Sequence, residues 1–257
     1  MTRGRFLLMK TFAAIWIASS LAALLFATAG QAAGCRETVF DDAPFTICES
    51  DPAEDEIRLF LDKEDGQKFG GFDNVNAALS EEGKTLAFAM NAGMYHPDRR
   101  PVGLYIEDGN ALTSIVTREG PGNFGLLPNG VLCLTDTVAL IVESRAFDRD
   151  RPACRFATQS GPMLVIDGAL HPRFLPQSTS RYIRNGVGVA RDGTLFAVIS
   201  DRPVTFHHFA RLFRDVLKTP QALFLDGNIS RLYAADLDRH DIGFPLGPIL
   251  GVARPAD

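Results

Sequence analysis

Polar residues able to bind a ligand follow the ends of several apolar segments of this sequence. The run that ends at Met90 passes directly into Asn91, and the run that ends at Leu225 passes into Asp226. Side chains at strand ends are held rigidly at a rim, and glycine lets a ligand approach the backbone closely. We therefore predict that these ends form the walls of one pocket. The candidate binding residues are Asn91, Gly93, Asn129, Gln159, Ser160, Gly161, Arg184, Asn185, Gly227, Asn228 and Ser230.

The familiar catalytic patterns do not occur in the chain. Ser160 lies in Gln-Ser-Gly-Pro and not in the G-x-S-x-G elbow of serine hydrolases. His207 and His208 are adjacent and point to different faces of a helix, whereas helical metal pairs are spaced by three or four residues. No glycine-rich phosphate loop is present. The sequence predicts no metal and no cofactor, and it leaves His207 as a pocket-lining residue at a helix start.

Apolar segments of strand length position these residues. One helix is predicted at Asp73–Leu79, capped by Asp73 and stopped by Gly83, and a longer one follows Pro203, with Thr205 as its N-cap. Many strands and few helices predict a single α+β domain with a mixed β-sheet and a polar surface cavity at the strand ends. The predicted strands cover residues 35–48 as a hairpin and then 56–61, 85–90, 102–107, 114–118, 130–134, 138–142, 156–158, 163–166, 185–190, 195–200 and 222–225.

The N-terminus predicts export to the periplasm or the medium. Three basic residues precede an uncharged run from residue 11 to residue 29, which ends in small residues. This order is typical of a signal peptide, which we place at residues 1–33, before a domain at 34–257. A retained membrane anchor is the alternative, because the run is almost long enough to span a bilayer.

Composition and charge exclude several classes of protein. The chain has 257 residues, of which 46% are hydrophobic and 22% charged, so it is neither disordered nor collagen-like. Loss of residues 1–33 would leave 23 basic against 31 acidic residues, a net charge of −8. An acidic exported domain is a poor candidate for binding nucleic acid or anionic lipid.

The four cysteines follow the predicted signal peptide. An even number in an oxidising compartment favours two disulfides, and we predict Cys35 with Cys48 and Cys133 with Cys154, although the sequence alone allows three connectivities. The first pair would staple the base of a hairpin. Lipid attachment at Cys35 is a competing use of that residue.

Six short motifs between residues 88 and 230 carry a resemblance that covers about residues 35–252. They are FAMNAGMY at 88–95, GNF at 122–124, PNGV at 128–131, QSGPML at 159–164, RNGVG at 184–188 and LDGNIS at 225–230. In this order they resemble the bacterial exported members of the phosphodiester glycosidase family. The resemblance implies a polar cavity and hydrolysis of the bond between a sugar's anomeric carbon and a phosphodiester.

The residue types can be matched to that reaction. A glycosyl phosphate already has a good leaving group, so the site must chiefly bind an anion and supply a base or nucleophile. We assign the phosphate to Arg184, because a guanidinium binds it as a fork. Asp226 is predicted nearest the anomeric carbon, and its alternative role is to cap the following turn. Asp201 and His207 are the further catalytic candidates. The amides suited to sugar hydroxyls are Asn91, Asn129, Gln159 and Asn228.

Two functions from different classes are consistent with these residues. The first is an exported hydrolase of sugar phosphodiesters that acts on envelope or extracellular polysaccharide. The second is a non-catalytic carbohydrate-phosphate binding protein in exopolysaccharide assembly, which would keep the amides and Arg184 and tolerate loss of Asp226. A serine hydrolase that uses Ser160 would be inactivated by a serine-directed phosphonate.

Overall fold

The structure is a computed structural model that describes residue 1, residues 33–227 and residues 229–256. The predicted signal peptide lies almost wholly outside these described residues, as does the candidate ligand Asn228. The strands of the described chain are β1 Gly34–Phe40, β2 Ala43–Ser50, β3 Glu56–Phe60, β4 Lys84–Asn91, β5 Tyr105–Glu107, β6 Asn110–Thr113, β7 Gly130–Leu134, β8 Ala139–Glu143, β9 Phe156–Ser160, β10 Met163–Ile166, β11 Ala169–Leu170, β12 Asn185–Val189, β13 Leu195–Ser200, β14 Gln221–Asp226, β15 Leu232–Ala234, β16 Arg239–His240 and β17 Ile249–Pro255.

These strands form three sheets with antiparallel pairing. One has seven strands in the order β1-β2-β13-β12-β14-β10-β11, and two have five, in the orders β16-β15-β4-β17-β3 and β6-β5-β9-β7-β8. The predicted α+β class and single domain are confirmed. Three antiparallel sheets stand in place of the one mixed sheet predicted, because short connections such as those of β1 to β2 and β12 to β13 join neighbouring strands as hairpins.

Each of the three α-helices in the described residues packs against a different sheet. Helix α1 Phe72–Glu81 buries Phe72, Val75 and Leu79 against the sheet that contains β4. Helix α2 is Ser144–Asp150, and α3 is Phe206–Arg211, which continues as a π-helical turn over Leu212–Val216. The α3 segment packs Phe209 and Phe213 into a cluster with residues of the seven-stranded sheet. Apolar residues spaced at three and four along a helix form one such buried stripe.

Two of the three predicted helix boundaries are correct. Thr205 is the N-cap of α3, and its Oγ1 accepts the His208 N–H at 3.1 Å. Gly83 follows α1 with a φ of +71°, in the left-handed region that glycine adopts without strain. The predicted cap Asp73 is wrong, because α1 begins one residue earlier, after the extended Gly71, and Asp73 lies in its first turn.

The predicted strand at residues 114–118 is also wrong. The backbone of Val116 pairs with a side chain instead of a strand: its N–H donates to Gln159 Oε1 at 2.9 Å, and its carbonyl accepts from Gln159 Nε2 at 2.6 Å. Because both backbone polar groups of Val116 are hydrogen-bonded to this side chain, they need no neighbouring strand as a partner. Helix α2 and strand β17 were not predicted, although β17 pairs with both β3 and β4.

Both predicted disulfides are present. Cys35 bonds to Cys48 and Cys133 to Cys154, with Cα atoms 4.0 Å and 5.4 Å apart. The first connects β1 to β2 and so staples the predicted hairpin. Among the described residues, no helix is both long and apolar enough to cross a membrane.

Candidate active site

The polar ends of three predicted strands meet in space. A Cβ on Gly93, after β4, would lie 2.7 Å from Thr158 Oγ1 of β9, so only glycine allows this approach. Ser160, the last residue of β9, donates its hydroxyl to the Leu225 carbonyl of β14 at 2.9 Å. Asn185 Nδ2, at the start of β12, donates to the carbonyl of Asn91 at 2.8 Å. Four strand ends from the three sheets are thereby joined.

A cavity of about 550 Å³ opens beside this junction. Of the residues that the sequence predicted as ligands, Arg184, Asp226 and Gly227 line it. The remaining wall is partly aromatic and comes from the segments before β5, β7 and β12 and after β4 and β14. Its residues are Met94, Tyr95, Val102, Pro121, Gly122, Asn123, Phe124, Ser180, Tyr182 and Ile229.

Arg184 is a buried cation in the wall of this cavity. Its side chain is 1% exposed, and it forms no ion pair with any carboxylate of the described residues. Nε donates to the Val204 carbonyl at 2.9 Å and Nη2 to the Ser180 carbonyl at 3.3 Å. The guanidinium fork that was predicted to bind phosphate therefore donates hydrogen bonds to two backbone carbonyl groups instead.

One nitrogen of Arg184 remains for a ligand. Nη1 is buried and has no hydrogen-bond partner among the described residues. It lies beside Gly227, where a Cβ would stand 3.6 Å from it. Burial lowers the pKa of Arg184 to about 10, so the guanidinium is still protonated at neutral pH. A buried positive charge with an unused donor is stabilised by an anion, and phosphate oxygens are suitable acceptors.

Asp226 supplies a carboxylate to the same cavity. It ends β14 and is 9% exposed, and its Oδ1 accepts the N–H of Gly227 at 2.5 Å. Burial raises the pKa of the Tyr95 phenol, and the nearby Asp226 carboxylate raises it further, so Tyr95 remains a neutral hydroxyl at neutral pH. The cavity therefore presents a cation, a carboxylate and a phenol.

Three predicted binding residues, of which Asn91 and Asn185 are buried, bond to the backbone of Asp226 and Arg231. Asn185 Oδ1 accepts the Asp226 N–H at 2.9 Å, and Asn91 Oδ1 accepts the Arg231 N–H at 2.9 Å. The Ser230 hydroxyl lies 3.0 Å from the Asp226 carbonyl. These side chains bond to the backbone of Asp226 and Arg231 and are not part of the cavity lining.

A second predicted group braces the opposite wall. Besides its two bonds to Val116, Gln159 accepts the Leu104 N–H at 3.0 Å and donates to Ser144 Oγ at 2.8 Å. Asn129 Nδ2 donates to the Phe124 carbonyl at 2.9 Å, and a Cβ on Gly161 would lie 2.5 Å from Asn129 Cβ. Phe124 lines the cavity, so this group shapes the wall from behind. The expected contact of the Gln159 amide with sugar hydroxyls finds no support here, since both its polar atoms are occupied within the protein.

The two secondary catalytic candidates lie away from the cavity lining. Both oxygens of Asp201 are occupied, one by Arg239 Nη1 at 2.6 Å and the other by Thr46 Oγ1 at 3.0 Å. His207 lies on α3, where burial lowers its pKa and Arg211 lowers it further. Neither residue is placed to act with Asp226, and we assign Asp201 a structural ion pair.

The cavity also contains residues that sequence reasoning left out of the site. Tyr95 and the loop Gly122–Phe124 belong to motifs that carried the family resemblance, and this was the signal that could have identified them. Tyr182 and Ser180 precede Arg184 in a segment with no motif of its own. Within the described residues, no three His, Cys, Asp or Glu side chains come close enough to hold a metal ion.

Comparison with known proteins shows the family of this chain. Residues 84–252 match the family model described as phosphodiester glycosidase. The chain is 32% identical over 209 residues to the uncharacterised protein YigE of Escherichia coli K12, covering 81% of this chain and 80% of that one. The protein therefore belongs to the phosphodiester glycosidase family.

Solved structures share the fold at low sequence identity. The catalytic domain of zebrafish N-acetylglucosamine-1-phosphodiester alpha-N-acetylglucosaminidase, auto-inhibited by its pro-peptide, is similar with a TM-score of 0.58 at 12% identity, over 86% of this chain and 81% of that one. A hypothetical protein from Synechocystis is similar with a TM-score of 0.57 at 13% identity, over 85% of this chain. This chain spans only 61% of the Synechocystis protein.

Proposed function

We propose that the protein is an exported hydrolase that cleaves the bond between a sugar's anomeric carbon and a phosphodiester, on envelope or extracellular polysaccharide. Membership of the phosphodiester glycosidase family supports the reaction class. Two disulfides support an oxidising compartment. The observation that carries the proposal is the buried Arg184, with Nη1 unused by any described residue, in the same cavity as Asp226.

The proposed chemistry needs one cation and one carboxylate. Arg184 binds a phosphate oxygen through Nη1, while Asp226 faces the anomeric carbon as base or nucleophile. Water supplies the oxygen that bonds to the anomeric carbon, and the broken bond's electron pair leaves with the phosphate. A phosphate leaves without prior protonation, so the paired general acid of ordinary glycosidases is not required. This matches a cavity in which Asp226 is the one carboxylate among the described lining residues.

The neutral residues of the wall fit a sugar. Tyr95, Tyr182 and Phe124 offer ring faces, on which the apolar faces of a pyranose pack, and Asn123 and Ser180 offer hydrogen-bonding groups. The position of Gly227 beside Arg184 Nη1 supports close approach of the phosphate to the backbone.

A second function is favoured by one contact. Because Asp226 Oδ1 accepts the Gly227 N–H, the carboxylate also caps its own turn, as a purely structural aspartate would. On this account the protein is a carbohydrate-phosphate binding protein without turnover.

Turnover of defined substrates separates the two functions. The purified exported protein is incubated with α- and β-glycosyl 1-(methyl phosphate) diesters of several sugars, and release of methyl phosphate is followed by ³¹P NMR. We expect hydrolysis by the wild type and a loss of about 10²- to 10⁴-fold in kcat in the folded Asp226→Asn variant. Binding without hydrolysis over long incubation would support the binding protein and overturn the enzyme.

A further inference from the structure

Arg184 lies at the end of a column of stacked rings. Its Cζ atom is 3.6 Å from the centroid of the Phe206 ring. The Phe174 ring stacks on the Phe206 ring, with centroids 5.0 Å apart and an interplanar angle of 5°. The His171 ring stacks in turn on Phe174, with centroids 4.8 Å apart. The guanidinium is thus packed against an aromatic face that is itself held by further rings.

A second contact holds Phe206 from the side. Phe224 of β14 meets its ring edge-to-face, with centroids 4.7 Å apart and an angle of 79°. Phe224 also limits the space at Gly227, where a Cβ would lie 3.1 Å from Phe224 Cζ. Phe224 and Arg184 Nη1 therefore both lie beside Gly227, and the Phe224 ring centroid is 5.5 Å from Arg184 Cζ.

The segment that carries Phe206 also binds the edge of Arg184. Val204 accepts from Nε at 2.9 Å, and Thr205 caps α3 directly before Phe206. Residues 204–206 therefore constrain the guanidinium in two ways. The Phe206 ring packs against its plane, and the Val204 carbonyl limits its rotation within that plane. A cation over an aromatic face in a desolvated site is stabilised without a counter-charge.

We propose that Phe206 is a positioning residue for Arg184, whose ring holds the guanidinium so that Nη1 meets the phosphate of the substrate beside Gly227. The inference rests on the proposed function, because it requires that Arg184 binds an anion. Without the ring, the guanidinium has room to tilt away from Gly227, and the anion must then order the cation when it binds.

Three variants separate positioning from general packing. Phe206→Leu removes the aromatic face, Phe206→Tyr keeps it, and Phe209→Leu makes the same truncation in α3 at a buried ring that packs on Phe45 and Phe213. Affinity for α-glucose 1-(methyl phosphate) and for inorganic phosphate is measured by calorimetry. We expect Phe206→Leu to weaken binding about 5- to 30-fold, and the other two to stay within about twofold of the wild type. Phe209→Leu is expected to lower the melting temperature all the same.

A spectroscopic measurement tests the geometry without a ligand. In ¹⁵N-edited spectra of arginine side chains, the ring current of Phe206 should shift the Arg184 N–H signals further upfield in the wild type, in Phe206→Tyr and in Phe209→Leu than in Phe206→Leu. In Phe206→Leu the rings of Tyr182 and Phe224 remain, 5.4 Å and 5.5 Å from Arg184 Cζ. Unchanged Arg184 signals, or unchanged affinity in a folded Phe206→Leu protein, would overturn the positioning role. A wild type that binds neither probe overturns the proposed function, while the Arg184 signals still decide whether Phe206 holds the guanidinium.

Discussion

Asn185 holds the backbone of Asp226 by a hydrogen bond across 41 residues of chain. Its Oδ1 accepts the Asp226 N–H at 2.9 Å, while its Nδ2 donates to the Asn91 carbonyl at 2.8 Å. A single buried amide therefore connects the end of β4 to the backbone of Asp226 at the end of β14. The orientation of Asp226 towards the cavity depends on this amide.

Replacement of the Asn185 amide should lower activity more than the loss of an amide hydrogen bond elsewhere in the protein. Asn185→Ala leaves buried backbone groups without partners, which should lower the free energy of unfolding by about 1–3 kcal/mol. It should also lower kcat about tenfold or more, since small misplacements of a reacting group reduce rates steeply. The matched control is Asn76→Ala, which loses the bond from the Leu86 N–H to Asn76 Oδ1 at 2.8 Å, away from the cavity lining. Equal activity of the two variants, measured in the folded state, would contradict this role.

Arg184 should not be replaceable by lysine. A lysine ammonium cannot reach the Val204 and Ser180 carbonyl groups and the cavity in the planar arrangement of the guanidinium. In the proposed function Arg184 binds phosphate in both the ground state and the transition state. Arg184→Ala should therefore raise KM about 10- to 100-fold, and Arg184→Lys should recover only part of this loss. Steady-state kinetics of the diester substrates measure both. A fall in kcat at constant KM would show that Arg184 acts only in the transition state.

The stability of the protein should fall as the pH rises from about 4.5 to about 7 through Glu107. Burial raises the pKa of this carboxyl to about 7 from an ordinary 4.5, with the charges of Asp108 and Asp62 adding to the effect and a hydrogen bond from Tyr105 opposing it. Between these two pKa values the folded protein binds more protons than the unfolded chain, so the free energy of unfolding decreases with pH, by at most about 3 kcal/mol for a partly exposed group.

Urea denaturation at about pH 5 and about pH 8 measures this dependence. Glu107→Gln cannot ionise, so it should flatten the decrease and be the more stable protein at the higher pH. Glu82→Gln is the control, because hydrogen bonds from Arg58 lower the pKa of Glu82 to about 2 and this group is ionised at both pH values. An unchanged pH dependence in Glu107→Gln would show that Glu107 is ionised in the folded protein.

The disulfides should account for a measurable part of the stability. Loops of 13 and 21 residues are closed by Cys35–Cys48 and Cys133–Cys154. Chain-entropy estimates give about 3 kcal/mol for each loop. The double variant Cys133→Ala/Cys154→Ala should therefore unfold at a lower urea concentration than the wild type. Alkylation of the wild-type protein, denatured without reduction, should label no thiol. Labelled thiols or a lipid on Cys35 in the exported protein would contradict the pairing.

Several elements of the fold could be predicted from local sequence alone. The hairpin between Cys35 and Cys48, the cap at Thr205 and the strand Leu195–Ser200 follow from residue type and period alone, and the structure has all three. The family resemblance also rested on motifs that could be read along the chain. By contrast, β17 is an apolar run with Gly251 in its middle, and its place between β3 and β4 depends on strands far away in sequence.

The roles of the polar residues were decided only by tertiary structure. Asn91, Gln159 and Arg184 are equally plausible ligands in the sequence, yet Asn91 and Gln159 bind the protein's own backbone. Of these three, Arg184 alone keeps a nitrogen that has no partner among the described residues. The fork of Arg184 was expected to bind phosphate and instead binds two carbonyl groups. The physical reason is that a buried polar group must be satisfied by whatever partner folding brings beside it. Residue type indicates what a side chain can bind, and partners far away in sequence, 140 residues for Asn91 and Arg231, decide what remains for a ligand.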